Sequence, residues 1–329
     1  MRDGSVEVDG TVVLGSPVTS YRITYRVRVA AGDDVTESIE TIAVERPFRS
    51  RVEVSIDGDR TGRRVSRFGA LAIEGDGGMR VLAVPPALGT SDVRPDAALP
   101  DAVERGLAER REVREVAGRR CRVYRVGSTV SDGTLVPLGT TTGEHADVCV
   151  DGDGLVLEEW WVQQGDALRH RLATEVEIGA PLARDLFELD GEPPPGPSDG
   201  SVTVVPTPDP PPPSVLAGGH RWLGRYEITT AALQQPGSVE AAPARMSVVD
   251  VWTSGADFVV LEQAPGTLAP TPYGMAIVVP GVGRAELVVD LRATELRLTT
   301  ADGSTVRLYG TVSASELTAI AGALLAPPA

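Results

Sequence analysis

Lysine and asparagine are absent from this chain. All 31 basic side chains are arginine, and 46 Asp and Glu residues outweigh them to give a net charge of −15. So acidic a surface argues against nucleic acid and anionic headgroups as the main partners. A GC-rich genome explains the missing residue types without invoking function. Histidine occurs only at positions 145, 170 and 220, with no H-E-x-x-H pattern and no C-x-x-C, so the familiar zinc arrangements are missing. G-x-S-x-G elbows, phosphate loops and dinucleotide glycine signatures are missing too. Glu158 and Glu159 are neighbours on one strand and point to opposite faces, so they cannot serve one substrate as acid and base. His170, on an apolar strand face, reads as a satisfied core residue. These absences predict a protein with no catalytic residues, no metal and no cofactor. No apolar run approaches the ~20 residues of a membrane helix, and the opening MRDGSVEVDG holds no hydrophobic export segment.

What is present is a β pattern. Apolar residues make up 42% and charged residues 23% of 329 positions, enough for real cores and for about two domains. Ten of the 26 prolines fall in residues 192–214, which predicts an extended, semi-rigid linker between a domain at 1–191 and a smaller one at 215–329. In YRITYRVRV, Tyr21, Ile23, Tyr25, Val27 and Val29 share one face, opposite Arg22, Arg26 and Arg28. Similar runs follow at 37–45, 50–56, 67–75, 79–85, 119–127, 145–150, 155–163 and 168–179. The spacing of Leu99, Val103 and Leu107 predicts a helix over 99–111. Together these describe a mainly β, α+β chain built on a curved antiparallel sheet, wet on its outside. Beyond the linker, hairpins turning at Ser254-Gly255 and Asp302-Gly303 precede a final helix. Its expected capping box is Ser313 and Glu316, and its buried stripe is Leu317, Ile320, Ala321, Leu324 and Leu325.

The stretch DVCVDGDGLVLEEWW (147–161) matches several positions of a calcium loop. Its third position, however, is Cys149, a poor ligand for a hard cation. Strand-like flanks around Asp-Gly-Asp-Gly predict a β-hairpin instead. Cys149 and Cys121 then lie on strands that can pair antiparallel, within reach of a disulfide; the alternative is two buried free thiols. Parity puts Cys121 with Arg119 and Arg125, and Cys149 with Asp147, on the expected polar, outward side. A bond there would imply an oxidising compartment.

The segments REVREVAGRRCRVYRV, DVCVDGDGLVLEEWWVQQGDALRHRLATEVEIG and PLARDLFELDG resemble the LolA-like family. Gly118, Asp151, Gly154 and the pair Asp185/Phe187 stand where that family's motifs stand. The layout of this domain, a linker and a smaller β-rich domain with a terminal helix is similar to the RseB (MucB)-like members. The resemblance covers residues 20–191 and implies a half-barrel sheet, with helices over its concave face, around an apolar cavity for acyl chains. It also implies a non-enzymatic carrier or sensor of lipid or acylated protein in the cell envelope. The alternative it implies is an interaction module regulating a membrane-bound anti-sigma factor without a ligand. The expected cavity lining is Tyr21, Ile23, Tyr25, Val27 and Val29, with one of Trp160 and Trp161. The expected export signal lies upstream of Met1.

Overall fold

The computed structural model describes residues 17–32, 34–75, 78–84, 92–128, 135–138, 144–163, 166–179, 181–188, 201–209, 211–230, 245–266, 274–300 and 303–326, with a small ribbon at 7–8 and 11–12. The strands are β1 (Glu7–Val8), β2 (Thr11–Val12), β3 (Ser20–Ala31), β4 (Asp34–Glu45), β5 (Arg49–Ile56), β6 (Asp59–Arg67), β7 (Ala70–Gly75), β8 (Gly78–Ala83), β9 (Ala108–Val116), β10 (Arg119–Ser128) and β11 (Leu135–Val136). They continue as β12 (His145–Asp151), β13 (Val156–Gln163), β14 (Asp166–Ile178), β15 (Ser201–Val205), β16 (Arg221–Thr230), β17 (Arg245–Ser254), β18 (Asp257–Ala264), β19 (Met275–Val279), β20 (Gly283–Val289), β21 (Thr294–Thr299) and β22 (Thr305–Gly310). The helices are α1 (Pro95–Glu104) and α2 (Ala314–Leu325), with 3-10 turns η1 (Arg184–Phe187) and η2 (Ala217–Gly219).

Twelve strands form one antiparallel sheet in the order β11-β10-β12-β13-β14-β3-β4-β5-β6-β7-β8, with β9 also on β10; a second sheet runs β15-β16-β17-β18-β22-β21-β20-β19. The alternation read in β3 is the alternation of burial, because one side packs a core and the other carries arginine. The strand β6 carries almost no apolar period. Polar cross-strand pairs hold it: Ser66 with Ser50 at 2.7 Å, and Arg63 with Glu74 at 2.9 Å. Within 192–214, residues Ser201–Val205 form β15 and pair with β16.

The predicted helix is displaced toward the amino terminus. It starts at Pro95, where the missing N–H costs nothing, and stops at Glu104. Gly106 then takes φ of +71°, and the Leu107 N–H closes on the Ala102 carbonyl at 2.8 Å. Leu107 therefore joins the core without being helical, and β9 begins one residue later. At the other end α2 matches the reading: the Ser313 hydroxyl accepts the Glu316 N–H at 3.2 Å, and Leu317, Ile320 and Ala321 are buried.

One apolar core runs through both sheets. On the first side α1 lays Ala98, Leu99 and Ala102 against Tyr124, Val126, Val148 and Val150; on the second, α2 covers Trp252, Leu287, Leu296 and Leu308. The two helices meet where the Asp101 carboxylate accepts the Ala314 N–H at the start of α2. Arg94, 3% exposed, makes the other tie. Its guanidinium donates to Asp96 (2.8 and 3.0 Å), to the Ala256 carbonyl (3.1 Å) and to Asp257 (2.8 Å), across the two sheets.

Candidate functional site

The face expected to line a cavity is mostly packed. Tyr21, Ile23, Tyr25 and Val27 are between 1% and 4% exposed, in one cluster with Cys121, Val123, Cys149, Leu155 and Leu157. Both phenols are satisfied inside: Tyr21 donates to Asp92 at 2.7 Å and Tyr25 to the Val156 carbonyl at 2.7 Å. Burial pushes both phenols far above their ordinary range, and the charge of Asp92 adds to the shift at Tyr21. They therefore act as neutral donors. Arg46 holds Asp92 from the other side at 2.8 Å. Arg171 stacks over the Tyr25 ring at 3.7 Å and pairs with Glu40 at 2.7 Å.

The remaining members of the expected set lie elsewhere. Val29 is 41% exposed. Cross-strand register puts Trp161 beside Arg169 and Arg169 beside Val29, so Trp161 shares their sheet face, where it packs on the core under α1. Trp160 points the other way. It stacks on His170 with ring centroids 3.5 Å apart, and both rings bond the same Glu158 oxygen at 3.0 Å. His170 is thus part-buried and satisfied by the buried Glu158 carboxylate.

Residues 147–161 form the hairpin of β12 and β13. Asp151 organises the turn: its carboxylate accepts the N–H groups of Asp153 and Leu155, at 3.0 and 2.9 Å, and pairs with Arg119 at 2.7 Å. Cys121 and Cys149 are bonded, with Cα atoms 5.3 Å apart. Their expected position on an outward polar face is corrected. Both are at most 1% exposed, because Val116 at the end of β9 joins their cluster and Leu172 of β14, which the register puts on their face, packs against it.

An open site appears where sequence patterns gave no signal. A groove of about 430 Å³ runs between the β4–β5 turn, the β6–β7 turn, η1 and β16, lined by Arg46, Phe48, Arg49, Phe68, Arg184 and Leu223 among others. Phe68 packs edge-on against Phe48 at 5.1 Å and tilts onto Tyr226 at 4.5 Å, so the aromatic floor is fixed. Leu223 is 52% exposed at its wall. Arg49 pairs with Glu45 at 3.0 Å, whereas Arg184 is exposed and has no ion pair among the described residues. Apolar floor and cationic rim suit an apolar group that carries negative charge. The only hint in sequence is that two of the chain's four phenylalanines, Phe48 and Phe68, sit at strand ends beside Pro47 and Gly69.

No family model matches the sequence, and no curated protein matches it. Among solved structures the chain is similar to the MucA/MucB complex of Pseudomonas aeruginosa, at 18% identity over 92% of this chain and 91% of that one, with a TM-score of 0.36. A crystal structure of MucB aligns at 17% identity over 94% and 93% of the two chains, with a TM-score of 0.34. A LolA-superfamily protein from Nitrosomonas europaea aligns at 10% identity over 53% of this chain and 92% of its own, with a TM-score of 0.31.

Proposed function

We propose that this chain is a binding protein, not a catalyst, that works outside the cytoplasm and holds the acyl chain of a lipid or lipoprotein as carrier or sensor. The groove between the two sheets carries this reading, since its aromatic floor accepts an acyl chain and Arg184, which has no ion pair among the described residues, accepts an anionic head. The buried Cys121–Cys149 bond supports an oxidising compartment. Among the described residues no helix is long and apolar enough to cross a membrane. The face named from sequence contributes packing at Tyr21, Ile23, Tyr25 and Val27, and Val29 and Trp161 edge it.

Native mass spectrometry of the purified chain is expected to find co-purified lipid, and a fluorescent fatty acid to bind with Kd on the order of micromolar. Phe68→Ala should weaken that binding by about tenfold, the effect of losing one anchoring aromatic. Lipid-free protein that binds no fatty acid at ~100 µM, a hundredfold above that Kd, would exclude the acyl reading. The second reading is an interaction module that regulates an anti-sigma factor with no ligand. The dense packing around Tyr21 and Tyr25 favours it, and it would then stand alone.

A further inference from the structure

The strand β19 ends the second sheet, and among the described residues no strand pairs with it on its outer side. Exposed edges invite another strand, and proteins usually blunt them with charge, proline or a bulge. MAIVV, the whole of β19, has none of these: no charged residue, no proline, and an unbroken register with β20 from Met275↔Leu287 to Val279↔Gly283. At the opposite end of the sheet the situation differs, because Val202 of β15 packs against Gly69 of the first sheet.

Both faces of β19 are prepared for a neighbour. Val278 is 72% exposed, the highest among the large apolar side chains left exposed. Directly across from it on β20 stands Arg284, exposed and without an ion pair or hydrogen bond among the described residues. A depression of about 290 Å³ follows the same outer face, lined by Gly274, Ala276, Arg284, Glu286, Arg297 and Thr299 among others. On the inner face Met275 and Ile277 are only partly buried against the core that α2 covers, and so is Leu324 of α2. The core is therefore unfinished at this edge.

We infer that β19 is a docking edge for an extended segment of a partner polypeptide, which adds to the sheet as a further strand. Main-chain bonds to alternate residues of β19 supply the attachment. Inward side chains of the added strand are apolar and close over Met275 and Ile277. Outward ones include an acidic residue that meets Arg284. This acidic requirement separates the proposal from self-pairing, because a second β19 brings no carboxylate of its own.

The test uses the full chain and two labelled probes, hexapeptides alternating valine with glutamate or valine with lysine. By fluorescence anisotropy the glutamate peptide is expected to bind saturably, and the lysine peptide on the order of tenfold more weakly, as expected for one close charge contact. Arg284→Glu, an exposed substitution that leaves the fold intact, should invert that order. Hydrogen exchange on the complex should slow in Met275–Val279. Binding indifferent to Arg284→Glu, protection elsewhere, no saturation at millimolar peptide, or self-association that slows exchange in β19 without peptide would each overturn the proposal. Because the groove lies on other elements, fatty-acid binding is read separately and its failure leaves this result unchanged.

Discussion

Arg94 is the residue whose loss should separate the two halves of the molecule. It sits before α1 and reaches the β17–β18 turn of the second sheet at Ala256 and Asp257, while its own N–H bonds the Leu291 carbonyl. Asp96, which shares the guanidinium, is itself 8% exposed and lies against Gly154 of the β12–β13 turn, where a Cβ would meet it at 2.9 Å. Arg94→Ala therefore strands one deeply buried carboxylate and one, Asp257, that is 30% exposed and partly served by Thr311 at 3.0 Å. Breaking a buried pair from one side costs about 3–5 kcal/mol. The hydrated Asp257 lowers the expectation to the bottom of that range, about 3 kcal/mol. Urea unfolding followed by both tryptophan fluorescence and far-UV dichroism is the assay. The wild type is expected to unfold in one transition because the core is continuous, and the variant earlier and with the two signals no longer coincident. A loss below about 1 kcal/mol with coincident signals would mean that α1 and α2 hold the sheets together without the arginine.

Three further outcomes follow from the same contacts. Replacing Cys121 and Cys149 together by alanine removes a bond that closes 28 residues and should cost about 3.5 kcal/mol on the chain-entropy relation, read from urea midpoints; a loss under about 1 kcal/mol would show the buried cluster holds that hairpin alone. Tyr25→Phe leaves the Val156 carbonyl without its 2.7 Å donor and should cost about 1 kcal/mol, whereas an unchanged midpoint would indicate that water reaches that carbonyl. Burial raises the Glu295 carboxyl, but Arg307 at 2.6 Å and Arg297 at 2.7 Å prevail and hold it below its ordinary range. Its contribution is then complete above the unfolded value of about 4.3 and is lost as pH falls through the lower folded value. Glu295→Gln should flatten the decline of stability between pH 4 and pH 2, and an identical decline in both proteins would place the acid sensitivity elsewhere.

Period-two alternation made β3, β10 and β12 legible because each is buried on at least one side. Alternation fixes which residues share a face, but it does not say which face is covered. That is why Cys121 and Cys149 were correctly grouped with arginines and aspartates and still misplaced outward. The residue pairs Arg119–Asp151 and Arg125–Asp147 are the ordinary polar partners of an exposed strand. Here Val116, Leu155 and Leu157, from other parts of the chain, share one buried cluster with the cysteines. The 99–111 helix failed for a local reason: the apolar spacing runs on to Leu107, but Gly106 breaks the backbone before it gets there.

The groove lay beyond sequence reading for a different reason. Phe48, Phe68, Arg184 and Leu223 come from two turns, a 3-10 segment and a strand, so no periodicity links them and only the packing of one sheet against the other brings them together. The proline-rich stretch teaches the same lesson from the opposite side. Proline fixes an extended backbone, which composition reads as a spacer. Extended backbone is also what a strand needs, and Ser201–Val205, free of proline between two proline clusters, pairs with β16 along its whole length. Past it, the Trp252 indole donates to the Pro213 carbonyl at 2.8 Å, which fastens the end of the stretch to the second sheet. Trp252→Phe keeps the buried ring and removes only that donor. Limited proteolysis should then cut near Pro213 in the variant before the wild type; equal rates would mean that the β15–β16 pairing fixes this segment without the indole.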